Sequence, residues 1–347
     1  MRNGLLLHVP KNRHYLYPFR TVSFISYMPI GLISIAAYAS DNGFPTKIIN
    51  LGLEKVLDKN YDIADDIKNE HTRIIGISLH WHHSAYDVIE TAKYIKSRFN
   101  DVFIVLGGYT ASFFWQEIME EYKCVDGVIK GDGEVPWLEL LRQVEKDGDL
   151  SVVPNLAWRG NGMIGLNQCS FIVKEKFFNS CAYTRFHLVK NYRYLPGILF
   201  VFFAQRQSLN KMILERRFKT QFFLPVSRGC TSDCGFCGGA CITQRMIANR
   251  DGFIKLSPRT LFLHTQKAVR FGYTHIHFLF CSYVKEEYIL EILNEFKKNK
   301  FKPKMIFEFL KALPHDRFLS EFVKVFDPES RILLAVHTFD KKYRRKY

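Results

Sequence analysis

The chain reads as an α/β protein built from two successive sheets: an N-terminal doubly wound parallel sheet, then a partial barrel of βα units. Three observations lead there. Short apolar strand-like runs alternate with amphipathic helical stretches across residues 1–150. The same alternation resumes at residue 221 and continues almost to the end of the chain. Between them, residues 151–220 have no sustained period and read as a connecting, wrapping segment. Length agrees, because 347 residues at about 150 per domain make two domains. The 47% hydrophobic content is ample for two cores.

In the first domain, Leu5–Val9 predicts a short strand and Ile30–Asn42 an amphipathic helix, followed by a strand at Thr46–Asn50. Arg73–Leu79 is a buried strand, and Tyr86–Phe99 repeats apolar residues at i, i+3 and i+4 as a helix does. Val102–Leu106 is a strand running straight into Gly107-Gly108, Phe113–Tyr122 is helical, and Gly127–Lys130 is a strand that ends at Gly131-Asp132-Gly133-Glu134. Trp137–Lys146 closes the domain as a helix. Ligands of doubly wound sheets bind at the carboxyl ends of the strands. Here those ends carry Ser78-Leu79-His80, Gly107-Gly108-Tyr109-Thr110 and Gly131-Asp132-Gly133-Glu134. His82 and His83 are sequence neighbours at a strand-to-helix turn and converge poorly on one ion, so they read as pocket lining rather than as a metal site.

In the connecting segment, 155–162 predicts a strand and a turn and Ile164–Leu166 a returning strand, whereas Phe177–Arg217 is aromatic and basic without a period. Beyond it, Phe222–Val226 is an apolar strand. Pro258–Phe271 is a helix capped by Ser257, with proline at its first position. The strand His275–Phe280, helix Glu286–Lys298, strand Lys304–Phe309, helix Asp316–Val325 and strand Arg331–His337 complete the series. Active sites of βα barrels lie at the strand C-termini. Only 110 residues follow Cys237, short of the ~200 or more of a full barrel, so this barrel reads as incomplete.

Composition narrows the function classes. No apolar run approaches the ~18 residues of a membrane span, and the N-terminus lacks a secretory signal pattern. The net charge of +15 gathers in Lys174–Lys219 and in the last seven residues. No basic stripe interleaved with aromatics accompanies it, so a solvated surface or phosphate-bearing ligand explains it better than nucleic acid. Eight cysteines, dispersed apart from one tight trio, fit a reducing cytoplasm. Cys124, Cys169, Cys181 and Cys281 read as buried small residues.

The trio is the sharpest chemical signal. Cys230, Cys234 and Cys237 stand in a C-x3-C-x2-C run flanked by Gly229, Gly235, Gly238 and Gly239. Three thiolates this close can hold three irons of a [4Fe–4S] cube, leaving the fourth iron open. Zinc is the alternative, with Cys241 as a fourth ligand. With Phe236 just before its third cysteine, the run resembles the cluster loop of the radical S-adenosylmethionine (radical SAM) enzymes. That resemblance implies Cys230, Cys234 and Cys237 as cluster ligands and SAM on the open iron. It also implies reductive cleavage of SAM to a 5′-deoxyadenosyl radical, with a flavodoxin or ferredoxin as electron donor. Phe236, Ser282, Glu308 and His337 are the SAM-binding candidates that follow from it, although Phe280-Cys281-Ser282-Tyr283 replaces the Gly-Gly-Glu of many members.

The first domain resembles the Rossmann-type cobalamin (B12)-binding domain that often precedes such a cluster domain. The likeness lies in Met28-Pro29-Ile30-Gly31-Leu32, Gly76-Ile77-Ser78, Leu106-Gly107-Gly108 and Gly131-Asp132-Gly133-Glu134. It implies Ser78, His80, Gly107, Gly108, Gly131 and Glu134 as cobalamin-binding residues. The Asp-x-His-x-x-Gly loop that ligates cobalt in other cobalamin proteins is missing from the sequence. Together the resemblances imply an oxygen-sensitive enzyme acting by radical SAM chemistry, with cobalamin serving methyl transfer or rearrangement. Its substrate would be an unidentified small or lipid-like molecule. A non-catalytic paralogue that keeps the cluster, and a zinc-bound nucleic-acid module, are the rival readings.

Overall fold

The computed structural model describes residues 4–11, 28–160, 162–200 (backbone only for 197–200), 220–235, 237–280, 285–310 and 316–335. The chain divides into two compact units. Met1–Val173, Cys181–Phe218 and Met246–Asn249 form the first, and Lys174–Ser180, Lys219–Arg245 and Arg250–Tyr347 the second.

The first unit is a seven-stranded sheet of β1 (Gly4–His8), β2 (Thr46–Asn50), β3 (Ile74–Ser78), β4 (Phe103–Gly107), β5 (Gly127–Ile129), β6 (Leu156–Gly160) and β7 (Met163–Leu166). Their order is β2-β1-β3-β4-β5-β6-β7. The first five run parallel, and β6 and β7 are antiparallel. The chain reverses its winding direction between β1 and β3, the switch point where doubly wound sheets bind ligands. Residues 151–173, expected within the connecting segment, thus contribute two strands to this sheet. The left-handed Asn155 (φ 61°) makes that turn possible, its amide donating to the carbonyls of Lys130 and Phe171.

Alternation along the strands sorts two cores. Leu5, Leu7, Ile75, Ile77, Ile104 and Leu106 pack on one face with Val88, Ala92 and Ile95 of α4 (Ala85–Arg98). The other face lies beneath α1 (Gly31–Asp41) and α7 (Glu134–Glu145). There the fully buried Trp137 lies on glycines, since a Cβ at Gly76 would come 2.9 Å from its ring and one at Gly4 3.0 Å. The indole Nε1 donates to Thr46 Oγ1 at 3.4 Å. The helix expected over Phe113–Tyr122 is two short ones, α5 (Tyr109–Phe113) and α6 (Trp115–Glu121), hinged at the non-helical Phe114.

The second unit holds a parallel sheet of β8 (Gln221–Pro225), β11 (His275–Phe280), β12 (Lys304–Phe309) and β13 (Arg331–Leu334), in the order β13-β12-β11-β8. Successive strands lie side by side, as in a barrel wall. Three helices connect and cover it: α10 (Pro258–Phe271), α11 (Glu286–Lys298) and α12 (Asp316–Val325). Their core is phenylalanine-rich, with Phe307 ringed by Phe278, Phe318, Phe322 and Phe326 at 5.3–5.9 Å. Ser257 caps α10 as expected, its hydroxyl accepting from the Thr260 amide at 3.1 Å. The short helix α8 (Glu175–Ser180) is bound into this unit through Asn179, which accepts from the Ser257 amide. Among the described residues no helix is long and apolar enough to cross a membrane.

Candidate functional site

Two sites are built at strand C-termini, one in each unit. In the first, the turns after β3 and β4 are laced together. The Leu79 amide donates to the Gly107 carbonyl (2.8 Å), the Ala111 amide to Leu79 (3.2 Å), and Thr110 Oγ1 to the His80 carbonyl (3.0 Å). Gly108 is the residue that permits this. Its φ of +106° lies in the glycine-favoured region, and a Cβ there would stand 2.9 Å from His80 Cα and 3.0 Å from His80 N. His80 is thereby set at the switch point, edge-on to Trp81 (4.8 Å) and Tyr109 (4.9 Å). Burial among these rings pushes its imidazole down to about 4, so it is neutral at pH 7.

On the α1 and α7 side of the sheet, Ser78 Oγ lies 3.5 Å from His8 Nδ1. Glu134, almost fully buried, accepts from Ser34 Oγ at 3.1 Å, and the Gly131 amide donates to Ser112 Oγ at 3.0 Å. Ser78, His80, Gly107, Gly108, Gly131 and Glu134 therefore all stand at or just beyond the C-terminal ends of adjacent strands. Asp132 was missed from the sequence. Its carboxylate accepts from the Val173 amide at 2.7 Å, fastening the turn after β5 to a segment 41 residues away. No local pattern announces so distant a partner.

In the second unit, β8 leads into β9 (Ser227–Gly229), which pairs antiparallel with β10 (Phe253–Lys255). Gly229 ends β9 at φ +95°, where a Cβ would stand 2.4 Å from the Gly252 carbonyl oxygen. The cysteine loop follows at once and runs into α9 (Cys241–Ala248). The Ser232 amide donates to Cys230 Sγ at 3.3 Å, the Cys237 amide to the Cys234 carbonyl at 2.9 Å, and the Cys241 amide to the Ser232 carbonyl at 2.9 Å. Cys230 and Cys234 are half-buried, Cys237 is exposed and Cys241 is buried at the start of its helix; all four are free thiols. Among the described residues no three His, Cys, Asp or Glu side chains lie close enough to share a metal ion. The fit to a cluster lies instead in the donor set: three free, at least partly exposed thiols in one loop and an amide already turned toward a sulfur. Of the dispersed cysteines, Cys181 is buried, whereas Cys124 and Cys169 are only half-buried.

Among the SAM-binding candidates, Glu308 lies near the C-terminal end of β12 with its side chain a quarter exposed. Phe236, Ser282 and His337 lie outside the described residues, as does Cys281.

Comparison with known proteins agrees with both units. Residues 22–141 match the family described as the B12 binding domain. The matched residues lie within the first unit. An uncharacterized methyltransferase of Pyrococcus horikoshii is 32% identical over 136 residues, 39% of this chain and 29% of the relative. The solved structure of OxsB, a cobalamin-dependent SAM radical enzyme with aqua-cobalamin and SAM bound, superposes with a TM-score of 0.66. Its identity is 15%, and the match covers all of this chain and 45% of that one. TsrM, a radical SAM methyltransferase of Kitasatospora setae solved with tryptophan and a SAM analogue, gives 0.66 at 13% identity, covering 99% of this chain and 60% of that one. The chain shares its fold with these two solved structures. The chain spans less than two fifths of the length of the curated relatives it matches.

Proposed function

We propose that this chain is the cobalamin- and cluster-binding part of a radical SAM enzyme, with methyl transfer as its foremost activity. One observation carries the reading. A C-x3-C-x2-C loop follows the first strand of a parallel βα sheet, downstream of residues that match the B12 binding domain. Cys230, Cys234 and Cys237 would hold three irons of a [4Fe–4S] cluster, leaving one iron for SAM. When bound, cluster and SAM supply the 5′-deoxyadenosyl radical and cobalamin supplies a methyl carrier.

The chain's own residues bind and orient these groups. Gly107 leaves the end of β4 free of a side chain, where a flat macrocycle could approach the backbone, and Gly108 lets the turn close against His80. Ser78, His80, Gly131 and Glu134 line the neighbouring strand ends. His80, neutral at pH 7, offers an uncharged ring there. Phe236, Ser282, Glu308 and His337 are assigned to SAM. The substrate is a small or lipid-like molecule, and a flavodoxin or ferredoxin delivers the electron in an anaerobic cytoplasm.

Anaerobic reconstitution with iron and sulfide tests the cluster assignment. The native chain should take up about four irons, and Cys230→Ala, Cys234→Ala and Cys237→Ala should each lose at least nine tenths of them. Cys241→Ala should lose none. Dependence on Cys241, or zinc in place of iron, would return the loop to the zinc reading.

A further inference from the structure

The sheet of the second unit has a helix-covered face and an opposite face, and a polar pair stands on the latter. His277 alternates along β11 with Ile276 and Phe278, which are fully buried on the side of the phenylalanine core. Its ring is 5% exposed and lies 4.4 Å from that of Phe223 in β8. Nε2 lies 2.9 Å from Glu308 Oε2 of β12. A carboxylate oxygen only accepts, so this contact makes Nε2 the N–H donor and leaves Nδ1 with a bare lone pair. That Nδ1 is buried and has no hydrogen-bond partner among the described residues. The neighbouring imidazole, His275, has its Nδ1 3.0 Å from Thr274 Oγ1. A buried acceptor left unpaired is rare in a finished protein and points to a partner beyond the described residues.

We propose that His277, oriented by Glu308, forms a recognition site for a ligand's ammonium or hydroxyl group: Nδ1 accepts the ligand's hydrogen bond, while Glu308 on the opposite side of the ring fixes the tautomer that leaves Nδ1 an acceptor. Burial holds the imidazole below the ordinary histidine range against the opposing pull of Glu308, so the Nδ1 lone pair persists at neutral pH. Glu308 is a quarter exposed, so one side of the pair faces outward. Two sources carry such a donor, SAM itself and the substrate. The inference leans on the reading above only for the first.

The test is ring-nitrogen NMR on the full chain with isotope-labelled histidine, the His277 signals being those lost in His277→Asn. The free protein should show the Nε2–H tautomer. Ethanolamine, which carries both donor groups, and SAM are then titrated separately, with propionate as a donor-free control. A saturable shift of Nδ1 with SAM assigns the donor to SAM, and one with ethanolamine alone assigns it to the substrate. Glu308→Gln should weaken either response at least fivefold while leaving the melting temperature within a few degrees of the native chain. If neither probe moves Nδ1, the pair is a core contact and the proposal is overturned. That result leaves the cluster assignment untouched, because iron uptake is read independently of it.

Discussion

His80 shows how much a single side chain can report. Its imidazole falls from an ordinary 6.5 to about 4 because Trp81, Tyr109 and the adjoining turns desolvate the charged form. Between those values the unfolded chain binds a proton that the folded chain does not. The stabilisation is thus complete above pH 6.5 and lost as pH falls toward 4. The shift corresponds to at most about 3 kcal/mol. All four tryptophans lie in the first unit, so fluorescence-monitored urea unfolding isolates it. From pH 7 to 4.5 the native chain should lose about 1–3 kcal/mol more stability than His80→Phe; parallel curves would contradict the burial of this ring. At this scale the sequence told only part of the story. The cysteines, His80 and the double glycine stood out by type and position, and Glu308 by its place on a strand. The bond from His277 to Glu308 did not, because it depends on the register of two strands 31 residues apart. The orphaned Nδ1 was equally hidden.

Among the elements, the β3 and β4 turns matter most, since they converge on one residue. Gly108→Ala places a Cβ against the His80 backbone and a non-glycine residue at φ +106°. Neither neighbour is a flexible side chain that can give way. We expect a loss of about 2 kcal/mol in the unfolding of the first unit. Hydroxocobalamin affinity, followed by its absorbance change at a temperature where the variant is folded, should fall at least tenfold. Native affinity in a folded Gly108→Ala chain would place the cofactor elsewhere. Helix and strand limits in the second unit were largely legible: Pro258–Phe271, His275–Phe280, Glu286–Lys298, Lys304–Phe309 and Asp316–Val325 are observed as read. Clear caps and strong amphipathicity explain this, with Ser257-Pro258 at one helix start and two lysines ending α11. The membership of β6 and β7 in the first sheet was not legible, because a hairpin's sequence says where it turns and not which edge it joins. Nor was the tether on the β2 edge. There Lys190 donates to both oxygens of Asp66 at 2.8 and 2.6 Å, Asn191 donates to the buried Glu54, and the Lys190 amide bonds Ile48. These residues lie more than a hundred positions apart and within an aperiodic stretch.

At the scale of the whole molecule, two α/β units follow one another, one with the B12 binding domain match and one with the cysteine loop at a strand end. Neither unit alone accounts for the chemistry proposed, since a cobalamin domain without the loop has no radical source. The order of the two units and both sheet types were legible from the β-α alternation and the cysteine spacing. The central claim is an open iron that binds SAM, and its most direct test is electron paramagnetic resonance of the anaerobically reconstituted, reduced chain with and without SAM. The account predicts a [4Fe–4S]⁺ signal whose g-values shift when SAM is added. A cluster signal indifferent to SAM would contradict it and leave a cluster-binding protein without this catalytic role.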